Sequence, residues 1–178
     1  KNIFGKNTRI IPYCADIKNM YTELPHDIII QSISHAINEF KKTKLGRKCI
    51  SGISIPKLKN DPILPGYIRN NTYVTLSFKQ ILNISTFDIQ NAHLQYFGKI
   101  LKQIVGVPMG SPGSPAYAIC ICMFYEQHFI NKTLNKQNKY FPQTNNNLIF
   151  FALRYIDDLL SFIAYDITKP QTKLFAQH

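Results

Sequence analysis

Three aspartates carry the chemistry that this sequence suggests. Two stand side by side in RYIDDLL (154–160), with FFAL before them and SFIAY after. Adjacent carboxylates between apolar runs repel each other and lose hydration, so a compensating positive charge is expected beside them. The third, Asp16, closes the apolar run RIIPYCADI (9–17). Asp16, Asp157 and Asp158 are hard oxygen donors at the ends of extended segments, and such donors suit divalent cations. Two Mg2+ ions about 4 Å apart activate an attacking hydroxyl and stabilise a leaving pyrophosphate. On this reading the repulsion within Asp157-Asp158 is what creates the cation site.

The elements that position these side chains follow from pattern. RIIPYCADI is nearly all apolar and reads as a short buried strand ending at Asp16. LIFFALRYIDDLLSFIAY (148–165) reads as two apolar strands joined at Asp157-Asp158. Between them in sequence, GVPMGSPGSP (106–115) leads into AYAICICMFYEQHFINKTL (116–134), apolar nearly all round at first. That predicts a buried helix with Ser114 as N-cap and Pro115 in its first turn. LPHDIIIQSISHAINEF (24–40) predicts a helix, with Pro25 and Asp27 suited to its start and Ile29, Ile33, Ile37 and Phe40 on one face. LSFKQILNI (76–84) predicts a short helix capped by Thr75 or Ser77, and LQYFGKILKQI (94–104) a β-hairpin around Gly98. Pro, Gly and Asn dominate 44–74, which reads as a long irregular connection with at most one short strand. NKQNKYFPQTNNN (135–147) reads as a polar loop.

A chain of 178 residues with 45% hydrophobic content supports one domain, taken as 1–178. Its formal charge of +11 points to a polyanionic partner, nucleic acid before membrane. The longest apolar stretch, 115–125, is too short to span a bilayer, and no basic amphipathic helix supports a membrane surface. Cys14, Cys49, Cys120 and Cys122 lack zinc-site spacing and read as buried free thiols. They suggest a reducing intracellular compartment, the nucleus or an organelle such as the mitochondrion. His26, His35, His93 and His128 have no partner at ligand spacing and receive no role.

With these pieces in order, ADIKNMY (15–21), GVPMGSPGSP (106–115) and RYIDD (154–158) resemble polymerase motifs A, B and C of reverse transcriptases. YTELPHD (21–27) and YFGKILKQIVGVPMGSP (96–112) are similar to the Penelope-like retroelement enzymes, which are related to telomerase catalytic subunits. The resemblance spans about residues 9–165 and rests more on the order of the motifs than on YIDD alone.

It implies an α+β fold, a reverse-transcriptase-type palm with a small antiparallel sheet and helices on one face. Motif A lies near 9–21, an irregular insertion at 44–74, motif B at 106–134 and the motif C hairpin at 148–165. The implied activity is RNA-directed DNA synthesis with two Mg2+ ions, on an RNA template and DNA primer, from dNTPs. Asp16 and Asp157 are then direct metal ligands, Asp158 a looser support, and the Ile17 carbonyl a further ligand. Tyr21, five residues after Asp16, packs under the incoming sugar and excludes a 2′-hydroxyl. Gly110 and Ser111 approach the template base pair, and glycine allows this because it lacks a Cβ. Tyr155 lies against the primer end. Arg154, Lys41, Lys42, Lys44 and Lys48 contact phosphates.

Gly113 stands where the family usually has Leu, which is expected to loosen one packing contact. Fingers and thumb have no counterpart in these residues, so separate segments or other subunits of a ribonucleoprotein are expected to supply them. An alternative follows: an inactive reverse-transcriptase-derived fragment that binds RNA or protein as a structural component.

Overall fold

Pro12 interrupts what is otherwise a good strand sequence, TRIIPYCAD, and a proline without an N–H is tolerated only on a sheet edge. The computed structural model, which describes residues 7–49, 52–58, 61–66, 68, 71–134 and 148–168, places that strand (β1, Thr8–Asp16) at an edge. The chain divides into two compact units, residues 1–18 with 127–178, and residues 19–126.

In the first unit, Leu148–Tyr155 (β7) and Asp158–Asp166 (β8) form a hairpin, and β1 pairs with β8 in the antiparallel order β1-β8-β7. The register runs from Thr8 opposite Asp166 to Asp16 opposite Asp158. β1 is not the buried strand its apolar run predicts. Ile10 and Tyr13, on opposite faces, are 52% and 58% exposed. Cys14 is likewise exposed rather than buried, whereas Cys49 and Cys122 are buried; among the described residues none of the four is in a disulfide.

The second unit begins with a short helix (α1, Met20–Glu23), followed by α2 (His26–Lys42) and α3 (Lys44–Lys48). The lysine-rich stretch after residue 40 is therefore mostly helical, and Thr43 caps α3 by accepting the Gly46 amide at 2.9 Å. Where an irregular connection is expected, β2 (Ile53–Pro56), β3 (Leu64–Pro65) and β4 (Tyr73–Leu76) form an antiparallel sheet in the order β3-β2-β4. A buried serine holds it. The Ser54 hydroxyl donates to the Gly66 carbonyl at 2.7 Å, pairs with the Thr75 hydroxyl at 2.8 Å and accepts the Ile68 amide. Short strands fastened through a side-chain hydroxyl leave no periodic trace in sequence, hence the missed sheet.

Helix α4 (Phe78–Gln90) starts at a capping box between Ser77 and Gln80 and extends beyond its predicted end. Then come β5 (His93–Tyr96) and β6 (Lys99–Lys102), the predicted hairpin, and α5 (Ser114–Leu134). The core of this unit joins Ile29 and Ile33 of α2, Ile89 of α4, Val107, and Tyr117 and Ile121 of α5. The polar segment 135–147 lies outside the described residues. Among the described residues no helix is long and apolar enough to cross a membrane.

Candidate functional site

In the first unit the chain brings Asp16 directly opposite Asp158. Tyr155 is the partner of Asp158 on its other side. Because side chains alternate along strands, Asp16, Asp158 and Tyr155 form one row across a single sheet face. The next row on that face is Cys14, Leu160 and Leu153. Together these rows line an open groove of about 620 Å3. Like charges directly opposite in a sheet are destabilising, so two carboxylates in one row require an external cation or a cost in stability.

Asp157 occupies the two-residue turn between β7 and β8 with Ile156. Ile156 has φ 54°, a conformation unusual for a β-branched residue. Two hydrogen bonds hold it there. The Arg154 guanidinium donates to the Ile156 carbonyl at 2.8 Å. The Ile17 amide donates to the Asp157 carbonyl at 3.1 Å, tying the turn to the end of β1. Arg154, expected to contact phosphate, thus has a documented partner in the turn itself. Tyr155 is 77% exposed.

Asp16, Asp157 and Asp158 offer oxygen alone, and among the described residues their side chains have no hydrogen-bond or ion-pair partner. Such donors fit Mg2+, which keeps waters and substrate oxygens and needs one or two carboxylates. They do not make a closed protein cage: among the described residues no group of three or more His, Cys, Asp or Glu is gathered to hold a metal.

The remaining predicted site residues lie in the second unit. Tyr21, half-buried in α1, accepts the Val107 amide through its carbonyl at 2.7 Å, and the Leu24 carbonyl accepts the Gly106 amide at 2.8 Å. The His26 ring nitrogen bonds the Gly106 carbonyl at 2.8 Å. Gly106 has φ 77°, and a Cβ there would sit 2.5 Å from the Tyr21 carbonyl oxygen, so only glycine fits. Three hydrogen bonds therefore fasten the Tyr21–His26 segment to the start of GVPMGSPGSP. Spacing along the chain could not reveal this role of His26, because its partner is a backbone carbonyl 80 residues away and not a ligand-spaced side chain.

Gly110 is exposed, and a Cβ on it would meet nothing within 4 Å. The chain itself does not demand glycine there; the space it leaves opens outward. Ser111 sits in a turn, its amide bonded to the Pro108 carbonyl at 3.1 Å. Ser114, buried, is the first residue of α5 rather than its cap, and its hydroxyl donates to the Pro108 carbonyl. Gly113 has a definite partner: a Cβ there would come within 2.8 Å of the Tyr117 ring and hydroxyl. The small residue makes room for a tyrosine that donates to Asp88 at 2.8 Å. Burial first, and the Asp88 carboxylate second, push the Tyr117 hydroxyl up to about 12.

Lys41, Lys42, Lys44 and Lys48 are all exposed. Lys42 pairs with Glu39, and the Lys41 ammonium lies 4.9 Å from the centre of the Phe78 ring.

No protein-family model matches the sequence, and no curated protein matches it. Among solved structures, telomerase from Candida tropicalis, in complex with a TWJ fragment of telomeric RNA, is similar in fold. The TM-score is 0.53 at 15% identity over 96% of this chain, which spans 23% of the telomerase chain. Telomerase, a reverse-transcriptase-related enzyme, is thus a distant structural neighbour of this mixed α/β chain with antiparallel sheets.

Proposed function

We propose that the chain is the palm of an RNA-directed DNA polymerase of the Penelope-like, telomerase-related kind. The observation that carries this reading is the register that sets Asp16 opposite Asp158, with Asp157 in the adjoining turn. Segments far apart in sequence thereby bring the Asp16 and Asp158 carboxylates into one row at one end of a sheet, with Asp157 beside them in the turn. The fold likeness to telomerase supports the same reading.

In the proposed reaction the primer O3′ bonds to the α-phosphorus of a dNTP. The bond from that phosphorus to the bridging oxygen breaks, pyrophosphate leaves, and the hydroxyl proton passes to solvent. Asp16, Asp157, Asp158 and the Ile17 carbonyl would hold two Mg2+ ions, which would supply activation of the hydroxyl and charge neutralisation of the leaving group, several kcal/mol of barrier reduction. Tyr155 supports the primer end. Tyr21 packs under the sugar and disfavours a 2′-hydroxyl. Gly110 and Ser111 admit the template base pair, and Lys41, Lys42, Lys44 and Lys48 hold phosphates. Fingers and thumb, or other subunits of a ribonucleoprotein, complete the grip on RNA template and DNA primer.

A second reading is an inactive remnant that binds RNA or protein structurally. It is favoured by the absence, among the described residues, of any ready-made group of three metal-ligating side chains. Primer extension on an RNA template with dNTPs and Mg2+ separates the two. The parent is expected to extend and Asp16→Asn to fail, with RNA affinity retained in both. Tight RNA binding without extension by this chain or its full-length gene product selects the remnant.

A further inference from the structure

The β5–β6 hairpin is a two-stranded sheet on its own, and all eight of its strand residues are exposed. Its turn is Phe97-Gly98, both with positive φ, at 46° and 75°. Gly98 suits that conformation, whereas Phe97 does not, and asparagine or glycine would fit better. Phe97 is 88% exposed, so burial in this chain does not explain its presence. Tyr96 holds it edge-on, centroid to centroid at 4.5 Å with planes 82° apart. Ile100, beside the tip, is 77% exposed.

Charge points to the occupant. No aspartate or glutamate occurs between Asp88 and Glu126, while His93, Lys99 and Lys102 do. Among the described residues neither hairpin lysine has an acidic partner. Lys99 pairs across the strands with Tyr96, directly behind the aromatic tip, and Lys102 pairs with His93 at the base on the opposite face, so a strand that meets both lysines crosses the tip. Flat rings at the end of a cationic ribbon match an unpaired polynucleotide, whose bases stack while its phosphates meet lysines. A duplex hides its base faces and offers phosphate alone.

We infer that this hairpin binds an unpaired stretch of RNA, with Phe97 as the stacking platform and Lys99 and Lys102 as phosphate contacts. The inference rests on the proposal that RNA is this chain's partner. The chain has no tryptophan, so Phe97→Trp introduces a single fluorophore at the tip.

The test uses the full chain, an oligouridylate of about 12 nucleotides, the matching oligodeoxythymidylate and an RNA duplex. Oligouridylate is expected to quench Phe97→Trp emission. Phe97→Ala is expected to weaken oligouridylate binding about tenfold and to leave duplex affinity unchanged. The Lys99→Ala/Lys102→Ala pair is expected to lower the slope of log affinity against log salt by about 1.4. Unaltered oligouridylate binding by Phe97→Ala, beside a parent that binds, overturns the hairpin's role and leaves the RNA partner standing. Equal loss on single strand and duplex overturns stacking. Quenching by the deoxy-oligonucleotide alone overturns RNA as the occupant. No RNA binding by the parent removes both the partner and this inference.

Discussion

Strands β7 and β8 join through Ile156-Asp157, and β5 and β6 through Phe97-Gly98. Each turn has two residues, and each sets a bulky apolar residue first, at φ 54° and 46°. The second residues differ. Gly98 also has positive φ, as two-residue turns of the commonest kind require, whereas Asp157 does not. The supports differ too. The β7–β8 turn is held by Arg154 and by Ile17, and its strands belong to a three-stranded sheet. The β5–β6 turn has glycine and, among the described residues, no third strand. A turn that must present a carboxylate in place of glycine is braced from outside; a turn that presents only a ring relies on glycine.

The largest expected difference between the hairpins is chemical. Asp157→Asn should reduce primer extension by about a thousandfold, worth about 4 kcal/mol of barrier, without lowering thermal stability. Phe97→Ala should lower extension by no more than its loss of RNA affinity. Comparable loss of turnover from both at saturating RNA would erase the distinction.

Next comes the bracing. Arg154→Ala should destabilise the first unit by about 1–3 kcal/mol, the worth of a hydrogen bond from a charged donor. Exposed Lys99→Ala should stay within about 0.5 kcal/mol. Denaturant unfolding measures both, and equal midpoints would mean that the β7–β8 turn needs no brace.

Relief of the strained φ is smaller. Ile156→Gly and Phe97→Asn should each stabilise by about 0.5–1 kcal/mol, since left-handed backbone costs a non-glycine residue about 1–2 kcal/mol and glycine returns part of that as entropy. Loss of stability in either variant would show a side-chain contact outweighing the backbone.

A last effect, of similar size, lies outside both hairpins and serves as their control. The Tyr117 hydroxyl is raised in the folded chain from 10.0 to about 12, chiefly by burial. Its stabilising contribution is therefore complete below pH 10 and is lost as the pH climbs through the folded value. Tyr117→Phe should lose about 1 kcal/mol at neutral pH with its Asp88 bond, and should show a shallower alkaline decline than the parent. Parallel stability–pH curves above pH 10 would remove this tyrosine from the titration.

The sequence by itself determined what neighbouring residues decide. Strand ends at Asp16 and beside Asp157-Asp158, the hairpin around Gly98 and the apolar stripe of α2 were all legible, because alternation, turn chemistry and helical spacing act over a few residues. The excess of positive charge was equally plain. Tertiary structure alone decided the rest. It paired Asp16 with Asp158, left β1 exposed, gathered β2, β3 and β4 around the Ser54 hydroxyl, and set His26 against the Gly106 carbonyl. Each of these depends on which distant segments meet, and a hydrogen bond or a sheet edge between distant segments leaves no period in the chain for a reader to find.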